Sequence, residues 1–482
     1  MLPKAFIFVA LTHLHLFRVN GEADFEKLRL TKYFVDKTEL IATFFDDELL
    51  PYHYITYPNG FGKSINLQML KLFANIVVDE HGHPVNYQYT QTYHIFQGLK
   101  IFKHHDVIKN HLAQHPVLHL SFVKMKNISD EFILGYLNER LRACFEDYEW
   151  LIPLLNDDKI MNKKLQKFRI GLQEIDFLKN IYWQRLNLAD AVRGLQTLSK
   201  ILTVYFGKRT IILIDQYDQV LGSSPIEWDE TAKYVYNIIN AMIAHALEGH
   251  EKVDRALIFG TNTMLPFRES HIILNRIRHY PFLSEHIFDR FFGFSAHEMK
   301  KLHSTFKCSS DEIHGLREYY NGYKIFDSHE TIFNPRSVIQ YFSHKHGNKT
   351  SFRRYWKEEE RILESFVADE KFKNVLINLT RDIPVSFNVT DVYSESDYRR
   401  YCENRKDDLM LTFLFDRGYL TPMMNNDHLF VIPNYEIKLD IENELEYSGV
   451  KFESKKWTRI IPTHNAGNQK PLDNSTGTKH LS

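Results

Sequence analysis

Gly62-Lys63-Ser64 stands between a short apolar run, Tyr54 to Tyr57, and the helix-like run Ile65 to Phe73. At a strand-to-helix turn these three residue types can hold a nucleotide. Backbone N–H groups of the turn and of the helix N-terminus converge on phosphate oxygens, and the helix dipole adds positive potential there. The lysine brings an ammonium to the β/γ-phosphates, the serine a hydroxyl to a magnesium ion, and Gly62 lets the backbone approach closely. Asn59, Gly60, Phe61, Gly62, Lys63, Ser64 and Ile65 form the candidate nucleotide-binding set. The usual loop pattern asks for another glycine five residues before Gly62, where this chain has Tyr57. A second segment supplies the missing half of such a site. Thr210 to Asp218, with Ile211-Ile212-Leu213-Ile214-Asp215-Gln216-Tyr217-Asp218, reads as a fully buried parallel strand ending in acid. Such a strand normally lies beside the phosphate loop and offers its first aspartate to the magnesium shell, so Ser64 and Asp215 are the expected metal positions.

The elements that must position these residues are legible around them. Lys32 to Ile41 predicts a short strand and then a helix capped by Asp36 or Thr38. This segment precedes the loop and is placed to cover the base side of a nucleotide. Gly98 to Phe102 reads as a short strand or turn, and Pro116 to Phe122 as a second core strand. Long helical patterns follow over 131–148, 175–205 and 229–248, and Ala256 to Thr263 is a third apolar strand ending in polar residues. In ATPases with an extra strand between the phosphate loop and the acidic strand, a polar sensor of the γ-phosphate sits at that end; Thr261 and Asn262 are the candidates. Strand and helix alternate through 53–263, which predicts an α/β fold: a P-loop NTPase parallel sheet covered by helices. From about 295 the pattern turns mainly helical, with Tyr320-Asn321-Gly322-Tyr323 as an Asn-Gly turn. Near the end, a helix over 409–416 and two short strands around Asn425-Asn426-Asp427 make a winged-helix-like element.

Composition excludes some classes and leaves others. The chain has 482 residues, 44% of them hydrophobic, with 60 Lys+Arg against 61 Asp+Glu. It is long enough for two or three domains, and nothing global steers it to nucleic acid or to an anionic membrane. No run beyond the N-terminus is long and apolar enough to cross a bilayer. Residues 1–21, with Lys4, the apolar stretch Ala5 to Phe17 and small residues near Gly21, read as a signal peptide, which points to the secretory lumen or outside the cell. Cytoplasmic placement is the alternative. Cys144, Cys308 and Cys402 make no framework, and Asn127, Asn348, Asn378, Asn388 and Asn474 head glycan sequons. The pairs His81/His83 and His104/His105 lack matching sets at zinc spacing. Boundaries follow: signal peptide 1–21, nucleotide core 22–294, helical and winged-helix-like region 295–461, disordered tail 462–482.

Taken together, Tyr33-Phe-Val-Asp-Lys-Thr-Glu-Leu-Ile, Phe61-Gly-Lys-Ser-Ile-Asn-Leu, Ile212-Leu-Ile-Asp-Gln-Tyr-Asp, Phe292-Gly-Phe-Ser, Tyr320-Asn-Gly-Tyr, Phe333-Asn-Pro-Arg-Ser-Val and Gly418-Tyr-Leu-Thr resemble the AAA-ATPase-like domain family, in its order, over about 24–440. The resemblance implies ATP and magnesium as cofactors. Many members continue into a PD-(D/E)XK nuclease-like domain, and nuclease chemistry is not carried over here. Two departures bear on function. The family's Arg-Pro-Arg-Arg before the loop is Tyr57-Pro58-Asn59-Gly60, which removes three positive charges. The family's Asp-Glu-Tyr-Asp is Asp215-Gln216-Tyr217-Asp218, and the amide of Gln216 cannot take a proton from water. Asp218 is the other carboxylate placed to serve, and Arg276, Arg278 and Arg290 are candidate arginine fingers. The expected function is ATP binding with weak or lost hydrolysis. The alternatives are an active NTPase remodelling a protein or nucleic acid, and a secreted interaction or effector protein that binds no nucleotide.

Overall fold

A computed structural model describes residues 24–122, 130–152, 172–218, 230–249, 251–262, 270–345, 352–356, 362–389 and 406–451. The expected signal peptide, the tail from 462, Cys402 and the sequons at Asn127, Asn348 and Asn474 lie outside them. Asp24 caps helix α1 (Phe25–Arg29), its carboxylate accepting from Lys27 N–H at 3.0 Å. A short strand is expected in this stretch. The apolar run Tyr33 to Val35 finds no partner strand among the described residues and stays irregular, its rings packing instead against Phe25 and Phe306. Helix α2 (Glu39–Phe44) follows, with Thr38 at its N-cap and Asp36 accepting from Thr38 N–H. Both residues named from the sequence therefore take part in the start of α2.

Strand β1 (Tyr52–Thr56) leads through the phosphate-loop sequence into α3 (Lys63–Ala74). Residues 100–103, expected as strand or turn, form one turn of 3₁₀ helix. Then come β2 (Val117–Ser121), α4 (Asp130–Phe145), α5 (Gly194–Phe206), β3 (Thr210–Asp215), α6 (Glu230–Glu248), β4 (Val253–Gly260) and β5 (Ile277–Tyr280). The five strands form one parallel sheet in the order β2-β3-β4-β1-β5. The acidic strand β3 is therefore not beside β1. Strand β4 lies between them, which puts β3 about 10 Å from β1 at the ordinary strand spacing.

Side chains alternate across the sheet, as period two requires. Ile212, Ile214, Ala256 and Ile258 enter one apolar cluster with α4, α5 and α6. Ile211, Leu213, Leu257 and Phe259 enter another, and this second cluster runs without a break into Phe282, Phe415, Leu420 and Ile437 of the C-terminal region. That region holds α7 (Ala296–Thr305), α8 (Ser310–Tyr320), β6 (Tyr323–Lys324), β7 (Thr331–Ile332), α9 (Pro335–Ser343), β8 (Val385–Ser386), α10 (Lys406–Asp416), β9 (Thr421–Met423), β10 (Asn426–Val431) and α11 (Tyr435–Tyr447). Ser295 and Ser309 open α7 and α8 with reciprocal capping boxes to Glu298 and Glu312. Strands β9 and β10 pair as expected, but the turn between them is Met424-Asn425, since Asn426 already pairs with Met423 and Asp427 lies in β10, and β8 adds to β10.

The Asn-Gly pair at 321–322 is not a hairpin turn. It is the exit from α8 into β6, with Asn321 extended and Gly322 at φ +106°. A Cβ on Gly322 would stand 1.8 Å from the carbonyl oxygen of Pro433, so close approach to a distant backbone is what demands glycine. Gly322→Ala is expected to destabilise the chain by about 3 kcal/mol or more, from strain and displaced backbone together, which a urea unfolding midpoint measures. A shift worth under about 0.5 kcal/mol would contradict this packing.

Candidate functional site

The turn after β1 is built by two left-handed glycines, Gly60 at φ +87° and Gly62 at φ +96°. Gly62 is the N-cap of α3, so the helix begins on Lys63 and its first-turn N–H groups, which no helix satisfies internally, follow directly on the turn. Ser64 is the next residue of that turn. The Lys63 side chain is buried and lies back over the loop, its Nζ donating to the carbonyl oxygens of Tyr57 and, at 3.1 Å, Pro58. Phe61 points the other way, into a ring cluster with Phe282 and Tyr323 at centroid distances of 5.4 and 4.9 Å. Tyr57, where the loop pattern asks for glycine, stacks on Phe292 at 4.5 Å. Its bulk is thus absorbed by the core rather than by the turn.

At the same edge of the sheet, β3 ends in Asp215, whose carboxylate is buried. Gln216 follows at φ +55°, a left-handed conformation rare for a non-glycine residue, and is half-buried. Asp218 is occupied in a specific way. Its Oδ2 accepts the backbone N–H groups of Thr261 at 2.7 Å and Asn262 at 2.6 Å, fixing the end of β4 to the end of β3. The Tyr54 hydroxyl donates to Asn262 O at 2.5 Å and lies 3.3 Å from the Tyr217 hydroxyl. Both sensor candidates, Asp218 and the loop strand are therefore tied into one buried network, with Asp218 in a positioning task. Gly260 permits it, since a Cβ there would stand 2.9 Å from both tyrosine side chains. Behind β1, His279 stacks on Tyr54 at 4.6 Å and its Nε2 is 3.1 Å from Thr56 Oγ1; burial lowers its pKa to about 3, so the imidazole is neutral.

The C-terminal region closes over the loop, a contact that local sequence reading does not find. Asn334 caps α9 and reaches Asn59 O at 3.5 Å, while Arg336 N–H donates to Gly60 O at 3.2 Å. A Cβ on Gly60 would meet Arg336 Cβ at 3.1 Å. Arg336, half-buried, thus meets the loop through its backbone N–H and Cβ. The finger candidates lie over rings, Arg276 and Arg278 over Tyr52 and Tyr280, and Arg290 over Phe291. The Asn334-Pro335 pair did mark the start of a helix, but nothing in its spacing announces what the helix touches.

A cleft of about 60 Å³ opens beside Gly62, bordered by Phe34, Val35, Ile65, Pro335 and Ile339. The N-terminal segment is thus beside the loop, on its apolar side. A cavity of about 880 Å³ lies apart from these residues, between 173–180 and α5, with Lys200 bridged to Glu174 at 2.7 Å. Among the described residues no group of three or more metal-ligating side chains stands together, and no helix is long and apolar enough to cross a membrane.

A buried ammonium at the head of a helix, a hydroxyl beside it and a carboxylate at the end of a core strand are the donors that a magnesium nucleotide needs. No curated protein and no solved structure matches the chain. The family model described as predicted AAA-ATPase, the AAA-ATPase-like family, matches residues 20–265, a span that holds the loop, the acidic strand and β4. The chain belongs to the AAA-ATPase-like family.

Proposed function

We propose that this protein binds ATP with magnesium at the turn between β1 and α3 and hydrolyses it weakly or not at all. The observation that carries this reading is Lys63, held over a left-handed glycine turn at the head of α3 by backbone carbonyl oxygens. Asn59 to Ile65 would hold the phosphates, and Ser64 and Asp215 the ion. When bound, the nucleotide supplies the phosphoanhydride bond and the metal supplies charge neutralisation. Around it, Asp218 would fix Thr261 and Asn262 at the γ-phosphate side. Gln216 orients water without taking its proton. The base would enter the cleft bordered by Phe34 and Ile339, whose small volume requires the N-terminal segment to part from α9.

The helix and hairpin at 406–431 form the winged-helix-like element of this reading, but not one for DNA. Every residue from Leu409 to Asp416 is buried, so α10 has no face to lay in a groove. A protein partner fits better than nucleic acid. Residues 1–21 support secretion, and Cys144 and Cys308, both free, neither require nor exclude it.

Titration with a fluorescent ATP analogue and magnesium tests the binding claim. Lys63→Ala is expected to weaken affinity by about 100-fold, the cost of losing a charge-assisted phosphate contact in a desolvated site. Equal affinity in both proteins would place the nucleotide elsewhere, and no binding to either would leave a scaffold that takes no nucleotide.

A further inference from the structure

Besides the ring of Tyr323 on Phe61 at 4.9 Å, the C-terminal region rests on the turn after β1 at two places that bear on Pro58 to Gly60. One is α9, through Arg336 N–H on Gly60 O and Asn334 on Asn59 O. The other is Gly418, sandwiched so tightly that a Cβ there would stand 2.9 Å from the Trp356 ring and 3.1 Å from the Pro58 ring. Both contacts are fastened to one side chain. Glu436, in the first turn of α11, accepts the Ser337 hydroxyl on Oε2 at 2.7 Å. Its Oε1 accepts the backbone N–H groups of Trp356, at 2.6 Å, and Tyr355.

Glu436 is 1% exposed. Burial pushes its pKa up to about 7, against the pull of these three hydrogen bonds, and Asp440 one turn on adds to the rise. Tyr320 of α8, Tyr323 of β6 and Tyr355 face the same carboxylate, and Arg354 is paired with Asp440 at 2.9 Å. A carboxylate so placed gains nothing from the apolar core around it. It gathers three donors from two segments that otherwise meet through rings, Tyr341 on Phe352 at 4.9 Å and His344 on Tyr355 at 5.4 Å, and so adds a polar anchor to an apolar contact.

We propose that Glu436 is a positioning residue for the phosphate loop: by fixing Ser337 and Trp356 it sets the two contacts that hold Pro58, Asn59 and Gly60 in shape. The C-terminal region thereby governs how tightly the loop grips its ligand. The part of this that concerns the nucleotide rests on the function proposed above; the part that concerns the loop does not.

Hydrogen exchange of the full chain, without nucleotide, reads the loop directly in peptides spanning 57–62. Glu436→Ala leaves two backbone donors buried without their acceptor, and the loop is expected to exchange about 10-fold faster while 210–215 and 253–260 stay unchanged. Glu436→Gln keeps an oxygen for both N–H groups and an amide for Ser337, and should restore exchange to within about twofold of wild type. The same proteins, titrated with the fluorescent ATP analogue and magnesium, should show affinity in the same order. Unchanged loop exchange in a folded Glu436→Ala protein, faster exchange spread evenly over the chain, or failure of the glutamine to rescue would each overturn the proposal. If Glu436→Ala does not fold, Ser337→Ala removes one contact alone and should speed the loop by about threefold; no change there overturns it equally. If loop exchange follows the expected order and no protein binds the analogue, the positioning role stands and the nucleotide reading fails.

Discussion

Gln216→Glu is expected to raise phosphate release from Mg·ATP by about 10² to 10⁴, the usual worth of a positioned general base. The residue stands directly after Asp215, at the end of β3, in a left-handed backbone conformation that aims it away from the strand direction. Such a conformation costs about 1 kcal/mol or more and persists because its surroundings enforce it. Here the enforcement is visible: Tyr217 N–H donates to Phe259 O at 3.2 Å, and Asp218 is locked to Thr261 and Asn262. A glutamate replacing the isosteric amide would inherit that aim. Asp218 is not free to substitute for it, because its Oδ2 already serves two N–H groups. Single-turnover measurements of both proteins decide the matter. A change of less than about tenfold would mean that orientation of water by an amide is already sufficient, as a loose phosphoryl transition state allows.

The second large effect is on stability in acid. Burial lowers His53, His115, His119 and His279 to about 3. His53 lies among Phe44, Tyr280 and Phe288, and neither ring nitrogen has a hydrogen-bond partner among the described residues. A histidine whose folded pKa is depressed binds its proton only in the unfolded chain. The stability it contributes is complete above about pH 6.5 and is lost as pH falls toward 3. Between pH 7.5 and 5 each fully buried one costs about 2 kcal/mol. His119 and His279 are partly exposed and count for less. Glu436 acts with the opposite sign. Its folded pKa is raised, so its contribution grows by about 2 kcal/mol over the same interval. His53 and His115 less Glu436 leave a net loss of about 2 kcal/mol, to which His119 and His279 add, a sizeable share of the stability of an ordinary domain, and the unfolding temperature should fall by a few degrees. His53→Phe keeps the ring and removes the titration, so its pH dependence should be shallower by about 2 kcal/mol. A wild-type protein equally stable at pH 5 and 7.5 would sink this account of the core.

The glycine turn before α3, the buried strand ending in Asp215 and the cap of α9 were legible because each is local: a Gly-Lys-Ser turn, an apolar run ending in acid, an Asn-Pro pair at a helix start. The sheet was legible as parallel, and the extra strand that offers Thr261 and Asn262 was read from their place at its polar end. What escaped the sequence depends on distant partners. Tyr33-Phe34-Val35 has strand composition but no strand to pair with among the described residues, so it packs as rings. Gly322 looks like a hairpin glycine, and its reason is the Pro433 carbonyl more than a hundred positions away. Asp218 reads as a spare catalytic acid until two amides of β4 are seen to occupy it. Glu436 sits in an ordinary acidic first turn, and only the three donors that reach it from Ser337, Tyr355 and Trp356 distinguish it.

The central claim is that ATP is held at this turn and kept. Equilibrium dialysis of the protein against Mg·ATP, followed by chromatography of the nucleotide retained with the protein, tests it most directly. The account predicts close to one intact ATP per chain, and none with Lys63→Ala. Retained ADP with phosphate accumulating outside would show that Gln216 supports turnover, and no retained nucleotide at all would contradict the binding claim itself.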